Sequence, residues 1–364
     1  MVSKLDVKYL SGLDLLRLTL SVSILVVHFP HFDFPFRELS HDLSIAGLPF
    51  GGVLGFLYKY GGFAVEIFWM ISGIIFYRFY LEKIADKKIS LVRFIFLRLT
   101  RLYPLHFVTL ISVAFLQYYY VISFSETFIY SNNDKIHFIM NIIMINFWNA
   151  KFGLSFNGPF WSVSVELFVY VFFFLLASGG ALGKQKNLVI TCLFFFACYS
   201  LGILSPFYEC LLYFFAGCLI VNSFSELRLF QILLTVLAFC GMLILKIQFG
   251  DILGFEINRA VNCFLQLIIA TWIILIFMYC FSTVGERVNF YLRAGGNMTY
   301  AIYMIHISIQ IVLILFFYDH GRAFFFNRLF FSCYILGTCI LGYAFFELFE
   351  KRCQNYLRKT FRIK

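Results

Sequence analysis

Ten apolar runs alternate with short polar stretches along the chain, most of them within the about 17–25 residues a helix needs to cross a bilayer. They fall near residues 12–30, 60–80, 95–121, 160–178, 187–204, 207–222, 228–247, 260–281, 297–318 and 327–349. The stretch 137–148 is too short to span and reads as an interfacial or re-entrant piece of a long loop. The pattern predicts an all-α polytopic membrane protein of about ten transmembrane helices. No repeat, linker or soluble segment interrupts it, so residues 1–364 read as a single transmembrane domain.

Composition agrees. The chain is 62% hydrophobic and 13% charged, whereas a soluble protein carries about 25% charged residues. Arg17 and Arg78 apart, 19 basic residues fall on one side of a ten-helix arrangement and 8 on the other. The richer side includes Lys4, Lys8, Lys83, Arg93, Arg98, Arg101, Arg228, Arg293 and the tail from Lys351 to Lys364, and the poorer includes Arg37, Lys59, Arg259 and Arg322. Basic residues collect on the cytoplasmic side, so both termini are expected there. The tail's basic run also suits membrane lipids. Although the net charge is +10, no soluble domain offers a basic face, and nucleic acid is not an expected partner. The ten cysteines lie mostly inside apolar runs without a CxxC pair and read as small buried hydrophobes. No metal is expected. A cleavable leader is not evident either, because the first run contains Arg17 and no Ala-x-Ala follows it.

Several polar residues stand out against this background. Arg17 and His28 lie eleven positions apart in the first run, within roughly 20° of one helix face and about 16 Å apart along the axis. Ionisable side chains at membrane depth face a protein interior or a wet cavity. Arg17 pairing with Asp14 or reaching a headgroup layer is the plainer alternative. Arg98 and Arg101 share one face at the start of the third run and form a fork for phosphate or carboxylate; an orientation anchor is the competing reading. Pro104 follows within the same helix and bends it. At 157–170, Gly158-Pro159 signals a helix start, Trp161 suits an interface, and Ser162 and Glu166 share one face. Glu166 falls near the depth of His28. A carboxylate beside an imidazole fixes its tautomer and prepares a general base, and an interhelical structural bond is the alternative. Glu66 is another carboxylate near that layer. Tyr300 and Tyr303 share a face, with His306 three residues on, as catalytic lining or as interhelical hydrogen bonds.

Taken in order, these segments resemble the acyltransferase-3 family of integral membrane acyltransferases. Arg17 and His28 match its Arg-x10-His helix; Gly62, Val65, Phe68, Ser72 and Gly73 match its second motif. Arg98, Arg101, Tyr103 and Pro104 match its Arg-x-x-Arg element. Trp161, Ser162 and Glu166 match Trp-Ser-x-x-x-Glu, and Gly296, Thr299, Tyr300, Tyr303 and His306 match a late Gly/Thr-Tyr/Tyr/His element. The chain departs from the family in lacking a proline after Glu347 or Glu350, and no fused esterase-like domain follows. The resemblance implies transfer of an acyl group, usually acetyl, from cytoplasmic acetyl-CoA to a hydroxyl of a cell-surface polysaccharide or its lipid-linked precursor. It implies a multi-pass protein of a bacterial inner or cytoplasmic membrane. Arg98 and Arg101 would hold CoA phosphates, with Arg17 along the path. His28 would act as base and Glu166 would orient it. Trp161, Ser162, Tyr300 and Tyr303 would meet the acceptor. A transporter or flippase for an anionic or glycolipid substrate is the rival expectation, since intramembrane Arg, His and Glu also line substrate paths.

Overall fold

The computed structural model describes residues 10–36, 44–203, 206–223, 229–249 and 254–361. Helices form at every expected run. Helix α1 spans Leu10–His28, α2 Gly51–Tyr60, α3 Ala64–Ala85 and α4 Leu91–Phe124. They are followed by the short α5 (Lys135–Ile142), then α6 (Trp161–Ser178), α7 (Gln185–Ser200), α8 (Pro206–Ser223), α9 (Leu229–Phe249) and α10 (Phe255–Cys280). The last are α11 (Glu286–Phe317), the single-turn α12 (Arg322–Phe325), α13 (Arg328–Phe345) and α14 (Lys351–Thr360). Among the described residues, 7 helical stretches are long and apolar enough to cross a membrane. The apolar parts of α8 and α9 run only over Pro206–Val221 and Thr235–Gln248, and α7 has 16 residues. Lys4, Lys8, Arg37, Arg228, Arg362 and Lys364, used above for orientation, lie outside the described residues.

Local chemistry explains the boundaries that position the polar residues. Pro30 has no N–H to continue the helix, so α1 stops at His28 and tightens into a 3₁₀ stretch over Phe29–Phe36. Phe29 and Phe32 on that stretch are fully buried. Pro104 lies within a continuous α4. The expected interfacial piece contains α5, whose N-cap Asp134 accepts the His137 backbone N–H at 2.9 Å. Hydrogen bonding to the ionised form holds the Asp134 carboxyl below its ordinary range. A 3₁₀ turn at Gly158–Phe160, with Pro159 at its start, leads into α6.

The chain divides into two compact units. The first contains residues 66–91 and 165–286 with the start of α1. There α3 and α8 approach closely, since a β-carbon on Gly73 would strike the Phe214 carbonyl and one on Gly217 the Met70 carbonyl. Small residues at such crossings are the usual device of membrane helices. This explains the Ser72-Gly73 motif as a packing feature. A cavity of about 630 Å³ in this unit is lined by aromatic and aliphatic side chains, among them Phe168, Phe172, Phe195 and Phe207.

The second unit contains residues 14–65, 92–164 and 287–364. Its core gathers Leu25, Phe29, Phe32, Leu110, Ile307 and Phe331 from α1, the 3₁₀ stretch, α4, α11 and α13.

Candidate active site

In the second unit α11 lies along α1 and runs in the same direction. Two glycines allow the approach: a β-carbon at Gly296 would collide with the Asp14 carboxylate, and one at Gly295 would press on Leu18. Polar residues of α11 then meet α1 from one end to the other. Thr299 meets Arg17, while His306 and Gln310 meet His28.

At the far end three imidazoles stack. His28 lies between His306, at 5.0 Å and 6° between planes, and His31, at 4.8 Å and 19°. His28 Nδ1 is 2.9 Å from His306 Nε2, and His306 Nδ1 is 2.7 Å from the Tyr303 carbonyl. A carbonyl only accepts, so His306 carries its proton on Nδ1. In the neutral ring Nε2 is then an acceptor, and His28 must donate from Nδ1. The lone pair of a neutral His28 is thereby fixed on Nε2, and the residue as a whole is partly buried. Gln310, fully buried, gives its amide N–H to the His28 carbonyl at 2.8 Å, one of the groups left unpaired at a helix end. Its carbonyl oxygen accepts from His31 Nδ1 at 3.3 Å.

At the near end, Arg17 pairs with Asp14 at 3.5 Å and donates to Thr299 Oγ1 at 3.3 Å. The pairing with Asp14 is the plainer alternative above. Arg101 on α4 lies 4.0 Å from Glu350, which is only 2% exposed. Arg98, one turn earlier, is half-buried. Tyr300 donates to the Leu102 carbonyl at 2.7 Å, so its hydroxyl belongs with the arginines rather than with the imidazoles. Between the ends, Tyr303 donates to the Pro159 carbonyl at 2.6 Å and lies 2.9 Å from Ser162 Oγ. Ser162 Oγ also lies within donating distance of the Pro159 carbonyl, at 3.3 Å, so the two hydroxyls and that carbonyl form one hydrogen-bonded group. Trp161 rests against Phe147 at 5.2 Å.

Glu166 belongs to the first unit. The group bonded to His28 Nδ1 is His306 rather than a carboxylate. The tautomer-fixing contact expected of Glu166 is made at that nitrogen by a neutral ring on α11. Gln310 and His31 are polar residues that sequence reasoning passed over, and Glu350, named there for lacking the family's proline, received no role. For Gln310 a signal existed: Thr299, Tyr303, His306 and Gln310 recur at four-, three- and four-residue steps, which is one helix face. Among the described residues no three His, Cys, Asp or Glu side chains are grouped to hold a metal ion.

Membrane-spanning helices that carry a tautomer-fixed imidazole at one end and guanidiniums at the other suit an integral membrane enzyme. The acyltransferase-3 family model, described as an acyltransferase domain, matches residues 10–347. The chain belongs to that family and is a membrane acyltransferase. No curated protein and no solved structure matches it.

Proposed function

We propose that the protein moves an acetyl group from acetyl-CoA, held at the arginine end, to a hydroxyl of a surface glycan or its lipid-linked precursor presented at the histidine end. The single observation that carries this reading is the hydrogen-bond sequence Tyr303 carbonyl–His306–His28, which leaves Nε2 as the unprotonated nitrogen of a neutral His28. His28 Nε2 takes the proton as the acceptor oxygen attacks the thioester carbonyl. The C–S bond then breaks, and the imidazolium returns its proton to the departing CoA sulfur. His306 acts through His28 and is a positioning residue. Arg17, Arg98 and Arg101 supply guanidiniums for the CoA phosphates. Arg17 lies on the same helix as His28, about 16 Å away along the axis, a span that an extended pantetheine arm would bridge. Trp161, Ser162 and Tyr303 lie toward the acceptor in this reading. Glu166 keeps a place in it as a candidate carboxylate of the other unit.

Purified protein given labelled acetyl-CoA and the glycan of its own host tests the reading. Label should pass to the glycan, and His28→Ala should lower the rate by at least ~10²-fold with the protein still folded in the membrane. Movement of the glycan across vesicles without label transfer would support the transporter instead.

A further inference from the structure

We infer that Glu350 is an internal counter-anion of the donor site: it neutralises Arg101 until a donor phosphate takes its place. The inference rests on the assignment of Arg101 to the donor. Between α13 and α14 the backbone opens into a π-helical turn over Phe346–Glu350. Such wide turns are rare and frequently mark functional sites. Here the turn separates two carboxylates three residues apart. Glu347 stays toward the surface and pairs with Lys351 at 2.7 Å, whereas Glu350 is buried at 2% exposure.

The buried carboxylate is poorly satisfied. Its Oε1 lies 4.0 Å from Arg101 Nε, longer than a hydrogen bond, and its Oε2 is buried without a hydrogen-bond partner. Burying a charge with so little compensation is costly. The approach of Arg101 to Glu350 is an ion-pair contact through Nε at 4.0 Å, longer than the charge-assisted bonds of a bidentate pair. Asp14 in turn pairs with Arg17 at 3.5 Å. Two internal acids, Asp14 and Glu350, thus offset part of the guanidinium charge of Arg17 and Arg101. A phosphate offers several acceptor oxygens and matches the guanidinium fork, so it outcompetes one carboxylate held at ion-pair distance. A carboxylate serving only as a strut for Arg101 would have the opposite effect on anion affinity.

Binding of CoA and of inorganic pyrophosphate to the detergent-purified full chain separates the two cases. Glu350→Gln should lower both dissociation constants about three- to tenfold. Glu350→Asp, which keeps the charge but draws it back from Arg101, should lower them by a smaller factor, and Glu347→Gln should leave them unchanged. Unchanged or raised constants in Glu350→Gln overturn the inference. If that variant does not stay folded, a constant in Glu350→Asp no lower than the parent's overturns it equally. Binding of neither probe to any form also overturns it. Tighter pyrophosphate binding without acetyl transfer from acetyl-CoA would uphold the counter-anion and remove the acetyl-donor reading alone.

Discussion

A histidine with two equivalent nitrogens is an ambiguous base, and the surroundings of His28 remove that ambiguity. The Tyr303 carbonyl dictates the proton position on His306, and His306 dictates it on His28. No charge is needed for this, which suits a site at membrane depth where an ionised partner is costly. His306→Ala should therefore lower kcat about tenfold or more while leaving KM for acetyl-CoA within about twofold, because the proposed donor site is at the other end of α11. His306→Gln, whose side-chain oxygen accepts from Nδ1–H, should recover part of kcat. Steady-state kinetics at matched protein levels would check both. A fall in kcat and a rise in KM together, without recovery by glutamine, would mean that His306 merely supports the fold.

Among the elements, α11 decides most. Gly295 and Gly296 let it press against α1, and its polar stripe would be useless at a normal helix separation. Gly296→Val should push the two helices apart at Asp14 and cost about 1–3 kcal/mol. The expected readout is a lower Tm in detergent together with loss of acyl transfer. Much of this was legible beforehand: the shared face of Arg17 and His28 follows from an eleven-residue spacing, and the Tyr300–Tyr303–His306 series from steps of three. What was not legible has physical causes. The partner of His28 depends on which helix packs beside α1, and helical periodicity does not contain that information. Tyr300 and Tyr303 share a face yet serve different neighbours, Leu102 and Ser162, because α4 and the start of α6 meet α11 at different heights. Glu350 was beyond reach for another reason: the π turn breaks the 3.6-residue rhythm from which burial was read.

For the whole molecule, the apolar pattern placed a helix at each of its ten runs, although among the described residues 7 stretches meet the length and hydropathy of a full crossing. The difference matters for topology, since an even number of crossings returns both termini to one side and an odd number separates them. On the ten-helix count, the bias of 19 basic residues against 8 predicts two cytoplasmic ends. Fusions of green fluorescent protein to each terminus should both fluoresce, and alkaline phosphatase at the same positions should be inactive. The reverse pattern at one end only would establish an odd count. One property of the second unit reaches beyond any single contact. Thr299, Tyr300, Tyr303, His306 and Gln310 are fixed to one stiff rod, so turning that rod by a fraction of a helical step would undo Arg17, Leu102, Pro159 and His28 contacts in one motion. Geometry at the imidazoles and geometry at the guanidiniums are thus a single mechanical state, kept or lost together.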